Sequence, residues 1–223
     1  MSSPAAAPIA TWRVGEPIAP LAATLARGGL LAIPTESSYG LAVDPRDAAG
    51  VEAIYRLKGR ERGKPLPVVA ADRAQIEALG IPAGDAALAW AEARWPAALS
   101  VVLPLAAPLP AAGGAGTLAV RVPAHAGLRA LLAALGHALT ATSANPSGAD
   151  PYLDPAGVAA WLAAAGADAV VVDGGVLAGG PPSTLVAWRP EGVLVLRAGR
   201  IDPRQLAAGT DAEGERRPEM MDG

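Results

Sequence analysis

Segments of helical and of strand periodicity alternate over most of this chain, and the alternation predicts an α/β fold with a mixed sheet and flanking helices. The final third favours a mixed over a purely parallel sheet. Three strand-like runs follow one another there, which calls for at least one antiparallel stretch. The third observation is compositional: 52% of the 223 residues are hydrophobic, enough to bury one sizeable core in a domain of ordinary size.

Taken in order, a helix is expected from Ile18 to Arg27, stopped by Gly28 and Gly29, which supply a left-handed cap. Leu30 to Pro34 then reads as an apolar strand. Asp47 can cap a helix whose apolar face carries Val51, Ile54 and Tyr55, and Leu66 to Ala71 resumes a buried strand. Further helices are expected at Arg73–Leu79, Asp85–Arg94, Gly127–Leu135 and Pro155–Ala165, with strands at Leu99–Leu103, Leu118–Val122 and Leu139–Thr142. The last strands are Ala169–Val172, Thr184–Trp188 and Val193–Leu196. Asp202 and Pro203 then open a short helix with a capping residue and a first-turn proline. Residues 1–8 are Ser/Ala/Pro-rich without the basic start or apolar core of a signal peptide, and 209–223 are charged without apolar period. Both read as disordered tails, leaving 9–208 as a single domain.

Composition removes several classes of chemistry. The chain has no cysteine, which excludes disulfide frameworks, thiolate nucleophiles and cysteine zinc sites. A formal net charge of −3 lacks the positive field of a stand-alone nucleic-acid binder. The uncharged run Ser100–Val120 is broken by Pro104, Pro108, Pro110, Gly113, Gly114 and Gly116, so no spanning helix forms there, and a cytoplasmic setting is expected. No Walker A loop and no G-x-S-x-G elbow occur, and His125 and His137 have no catalytic spacing.

Four segments remain as candidate sites. Arg56-Leu57-Lys58-Gly59-Arg60-Glu61-Arg62-Gly63-Lys64-Pro65 gathers five cations around one carboxylate at the junction of a helix and a glycine-containing loop. It reads either as a polyphosphate cradle or as a solvated helix end favoured by the helix dipole. Thr140 to Gly148 is a run of small hydroxyl and amide residues after a strand, suited to phosphate or ribose and equally to an ordinary turn. Ile33 to Leu41 also follows a strand. Arg121 lies between apolar neighbours in an expected strand, where a cation is held against a buried anion, as a ligand contact or as a structural ion pair.

Together these segments resemble the YrdC family of threonylcarbamoyl-AMP synthases, in the family's order, from Gly28 to about Ile201. The matching pieces begin with Pro34-Thr35-Glu36 and Tyr39-Gly40-Leu41, then Leu57-Lys58-Gly59-Arg60, Lys64-Pro65-Leu66, Trp95-Pro96 and Val120-Arg121-Val122-Pro123. They continue with Thr142-Ser143-Ala144-Asn145, Ser147-Gly148, Asp173-Gly174-Gly175, Pro182-Ser183-Thr184, Leu196-Arg197 and Gly199. Departures are Ser37-Ser38 for the usual Thr-Val, Pro96-Ala97-Ala98-Leu99-Ser100 for Pro-Gly-Pro-Leu-Thr, and Pro67 at an aliphatic position; they bear on cavity shape and threonine affinity.

The resemblance implies a twisted mixed sheet whose concave face forms a positively lined cavity. It implies that Lys58, Arg60, Ser143, Asn145 and Arg197 bind ATP, with Lys58 and Arg60 neutralising charge during catalysis, and that Thr35, Arg121 and Ser183 bind threonine. Arg121 is the candidate for the substrate carboxylate. The implied reaction joins L-threonine, bicarbonate and ATP, with Mg²⁺, into threonylcarbamoyl-AMP for a partner complex that modifies tRNA. Two other readings stay open: a carbamoyl-adenylate-forming enzyme of the same fold, and an RNA-binding module without catalysis.

Overall fold

The computed structural model describes residues 9–207, so both expected tails fall outside the described residues. Its elements are β1 (Ala10–Arg13), α1 (Ala19–Ala26), β2 (Leu30–Pro34), β3 (Tyr39–Ala42), α2 (Ala48–Lys58), β4 (Val68–Val69), α3 (Arg73–Glu77), α4 (Ala86–Glu92) and β5 (Leu99–Pro104). After a 3-10 turn at Pro110–Ala112 come β6 (Thr117–Arg121), α5 (Ala126–Leu135), β7 (Leu139–Thr140), β8 (Thr142–Ser143), α6 (Pro155–Ala164) and β9 (Ala169–Asp173). The described residues end in β10 (Thr184–Arg189), β11 (Gly192–Arg197) and α7 (Pro203–Ala207).

The mixed α/β class holds, with the strands divided between two sheets. One has the order β1-β9-β2-β3-β8 and the other β11-β10-β5-β6-β4-β7. Both are mixed: β2 runs parallel to β9 and antiparallel to β3, while β5 runs parallel to β10 and antiparallel to β6. The expected strand Leu139–Thr142 shows how the division arises. Its first half, β7, pairs with β4 of the six-stranded sheet, and its second half, β8, pairs with β3 of the five-stranded sheet, so the chain changes sheets at Ala141. It changes again between β9 and β10.

Alternation on β2 and β9 explains why the five-stranded sheet reads as continuous apolar runs. Leu31, Ile33, Val170 and Val172 join a cluster with Leu21, Leu25, Leu128 and Leu132, whereas Leu30, Ala32 and Val171 turn the other way. That second face meets Leu99, Val101, Leu103, Val120 and Val186 of the six-stranded sheet in the larger cluster. Each fully buried aliphatic side chain contributes about 1.5–3 kcal/mol, so the two sheets are held together chiefly by this shared core.

Helix starts follow side-chain chemistry. Asp47, Asp85 and Asp154 each accept a backbone amide of their own first turn. Helix α2 stops at Gly59, which takes the left-handed conformation at φ 59° that other residues adopt at a cost. Two short strands escaped the sequence reading. In β1 only Trp12 is buried, which leaves no period to detect, and β3 is wholly buried but only four residues long with a glycine inside it.

Candidate functional site

A cavity of about 640 Å³ opens where the two sheets exchange chain. Three stretches make its walls: the turn joining β2 to β3, with Thr35, Ser37 and Ser38; the crossover Ala141–Ser143; and the β9–β10 connection, with Gly179, Gly180, Pro182 and Ser183. The six-stranded sheet adds Ser100 and Arg121, β11 adds Arg197, and the loop after α2 adds Arg60. Three guanidinium groups therefore face one hollow, with Asp150 the single carboxylate among its lining residues.

Arg121, only 8% exposed, ends β6 and is anchored by Glu36, whose Oε2 accepts from Nη1 at 2.5 Å. The Glu36 Oε1 accepts the Ala124 amide at 2.8 Å. Burial pushes the Glu36 carboxyl up, but the Arg121 guanidinium and the backbone amides outweigh it and hold the group below its ordinary 4.5. Glu36 is therefore a carboxylate at neutral pH. The other Arg121 side-chain donors make no hydrogen bond among the described residues, which leaves the rest of its planar fork for a carboxylate.

Arg197 donates through Nη2 to the Ser183 carbonyl at 2.8 Å and to Ser183 Oγ at 3.2 Å, and Ser183 Oγ lies 2.9 Å from Ser100 Oγ. Burial, and secondarily the nearby Arg121 charge, lower the Arg197 pKa below the ordinary guanidinium range, as in a site short of counter-charge. Thr35 Oγ1 donates to the Ser38 carbonyl at 2.7 Å and so shapes its own turn. Arg60 Nη2 donates to the Pro65 carbonyl at 3.2 Å, while its Nε is buried without a partner.

The cation cluster around α2 is not one cradle. Lys58 points inward: 4% exposed, its Nζ donates to the Asn145 carbonyl at 2.8 Å, to Asn145 Oδ1 at 2.9 Å and to the Ser143 carbonyl. Asn145 Oδ1 also accepts from Ser143 Oγ at 2.6 Å. Lys58 and Asn145 thus lie behind the cavity wall and brace Ser143, which is on it. Burial, with the Arg60 charge second, lowers the Lys58 ammonium to about 8. Arg62 pairs with Glu52 and Lys64 with Glu61, both pairs exposed, and Arg56 is exposed away from the lining, which leaves Arg60 as the cluster's contribution to the cavity.

Of the residues singled out from sequence, Thr35, Arg60, Arg121, Ser143, Ser183 and Arg197 share the cavity, and Lys58 and Asn145 support it. The inward turn of Lys58 was readable: it falls four residues after Ile54 and seven after Val51, on the buried face of α2. The motif that contains Glu36 gives it no role, because its partner is 85 residues away. Ser100 stands out in the sequence only as a departure from the family pattern.

Among the described residues no group of three or more His, Cys, Asp or Glu side chains is placed to hold a metal ion, and no helix is long and apolar enough to cross a membrane.

A family model named Sua5/YciO/YrdC, described as telomere recombination, matches residues 23–199. A threonylcarbamoyl-AMP synthase of Thiobacillus denitrificans is 39% identical over 168 residues, 74% of this chain and 88% of that protein. One from Bacillus subtilis is 36% identical over 194 residues, 86% of this chain and 56% of that protein. Among solved structures, P. abyssi Sua5 complexed with L-threonine aligns with a TM-score of 0.74 at 31% identity, over 86% of this chain and 57% of that one. E. coli YciO aligns with a TM-score of 0.73 at 21% identity, over 89% of this chain and 98% of that one, a likeness of fold alone.

Proposed function

The chain belongs to the Sua5/YciO/YrdC family, and from that premise we propose that it is a threonylcarbamoyl-AMP synthase, a nucleotidyltransferase acting on L-threonine, bicarbonate and ATP. The observation that carries the reading is the single cavity in which Thr35, Arg121 and Ser183 stand beside Arg60, Ser143 and Arg197. One group suits an amino acid and the other a nucleotide.

The chemistry asks for little beyond alignment and charge. The threonine amine and bicarbonate condense to a carbamate with loss of one water, and a carbamate oxygen then attacks the α-phosphorus of ATP as pyrophosphate leaves. An anion must approach an anion, so fixed cations lower the barrier and no covalent intermediate on the protein is needed. In our assignment Arg121 takes the threonine carboxylate on the part of its fork that Glu36 leaves open, and Thr35 and Ser183 flank the substrate. Arg60, Ser143 and Arg197 take phosphate or ribose oxygens. Lys58 and Asn145 act from behind by fixing the Ser143 loop, and Lys58 adds a buried positive charge. Mg²⁺ would enter as part of the nucleotide complex, since the triphosphate brings the oxygen ligands that the cavity, with Asp150 as its one carboxylate, does not supply in number. The product would pass to a tRNA-modifying partner complex in the cytoplasm.

The test is pyrophosphate release from ATP in the presence of bicarbonate, with threonine, serine or carbamoyl phosphate as the second substrate. Threonine-dependent release is expected. Release that depends on carbamoyl phosphate instead would replace this reading with a carbamoyl-adenylate-forming one.

A further inference from the structure

The connection between β9 and β10 supplies one wall of the cavity yet lies in neither sheet. Its near end is tied down: Tyr39 Oη accepts the Gly174 amide at 3.0 Å and donates to the Gly175 carbonyl at 2.8 Å, and the Leu177 amide reaches the Leu153 carbonyl at 2.8 Å. From Ala178 to Pro181 the backbone makes one kind of hydrogen bond among the described residues, and it comes from Arg200. Arg200 Nη2 donates to the Gly179 carbonyl at 2.8 Å. The same nitrogen donates to the Glu36 carbonyl at 2.9 Å, and the Arg200 amide donates to the Pro182 carbonyl at 2.8 Å.

Glu36 and Gly179 belong to two different segments that meet at the cavity rim. Glu36 sits between Thr35 and Ser37 and holds Arg121, whereas Gly179 precedes Gly180, Pro182 and Ser183 of the lining. Gly179 and Gly180 adopt φ of 73° and 108°, conformations open to glycine, so the backbone there has little stiffness of its own. Arg200 is exposed, lines no part of the cavity and makes no salt bridge among the described residues. Its guanidinium is committed to two carbonyls rather than to a carboxylate.

We propose that Arg200 is a positioning residue that clasps these two segments and thereby sets the spacing at which Thr35, Arg121 and Ser183 meet one amino-acid substrate. The inference rests on the functional reading above. Loss of the clasp frees Ala178–Pro181, the stretch that leads into Ser183 on the threonine half of the cavity, while Ser183 keeps its own bonds to Arg197 and Ser100. Arg60 and Ser143, on the nucleotide half, are held by other bonds.

The test compares the full chain with Arg200→Ala and Arg200→Lys. With two hydrogen bonds from a charged donor removed, KM for threonine should rise about five- to tenfold in Arg200→Ala, with kcat and KM for ATP changed less than about twofold. Arg200→Lys, whose ammonium can still donate to a carbonyl, should recover part of the loss. Amide exchange measured without substrates should quicken in Arg200→Ala at Leu177 and Thr184, the hydrogen-bonded amides that flank the freed stretch, and elsewhere stay as in the native chain. Unchanged threonine KM together with unchanged exchange would overturn the proposal, as would equal rises in both KM values. If the native chain releases no pyrophosphate with threonine, the functional reading fails while the exchange measurement still decides whether Arg200 holds the wall.

Discussion

Replacing Lys58 with methionine separates support of the fold from support of the reaction. Two opposing stability terms can be worked from its surroundings. Burial that lowers the ammonium from 10.5 to about 8 costs the charged form about 3 kcal/mol, which an apolar side chain of similar length does not incur. Against this, the Ser143 and Asn145 carbonyls lose a donor, at about 1–3 kcal/mol each, while Asn145 Oδ1 keeps its bond from Ser143 Oγ. The balance is a destabilisation of about 1 kcal/mol, a few degrees in melting temperature for a chain of this size. Catalysis loses a buried positive charge and the brace on Ser143, on the order of 2–4 kcal/mol, or roughly thirty- to a thousandfold in kcat/KM. Thermal melting and threonine-dependent pyrophosphate release on the same preparation measure both. A melting temperature lowered by more than about 12 °C with kcat/KM intact would refute the reasoning, because Lys58 would then be a structural residue alone.

Further outcomes follow from the same geometry. Arg121→Lys replaces a fork by a point charge, so KM for threonine should rise well above KM for ATP; equal changes in steady-state kinetics would count against a carboxylate contact. Glu36 has a folded pKa below its ordinary 4.5, so its contribution to stability is present above that value and is lost as pH falls through the folded pKa. Melting curves collected over acidic pH should therefore show a flatter acid limb for Glu36→Gln than for the native chain, and parallel limbs would show that the Arg121 pair adds nothing. At Gly199 an added Cβ would stand 2.5 Å from the Ser183 carbonyl carbon and 2.6 Å from the Thr184 nitrogen, both backbone atoms. Gly199→Ala should cost about 3 kcal/mol and displace Ser183, lowering the melting temperature by roughly 6–12 °C; an unchanged melt would mean the two segments can part freely.

Much of the fold was legible because it is written locally. The strand at Leu30–Pro34 has the bounds expected of it, and α2 starts at the cap that Asp47 announces, since a short polar side chain before an apolar period has few other uses. What could not be read was pairing at a distance. The segment Leu139–Thr142 looks like one strand because its residue types suit one, and nothing in four residues says that the first two and the last two belong to different sheets. The site divides in the same way. Arg121 announced a buried anion by its apolar flanks, but not that Glu36 supplies it. The cation cluster announced positive charge, whereas the inward turn of one lysine and the outward pairing of Arg62 and Lys64 depend on helical phase and on Glu52 and Glu61. Arg200 carried no signal at all, as its partners are main-chain carbonyls and any residue offers those.

The chain possesses just two lysines, six positions apart, and they occupy opposite extremes of accessibility: Lys58 is 4% exposed, while the Lys64 side chain is 58% exposed. An acylating reagent therefore meets one amine that reports how fast the solution reacts and another that reports how often the Ser143–Asn145 loop lifts. The ratio of the two labels reads that opening directly, in a single digest, with no tag or substitution introduced.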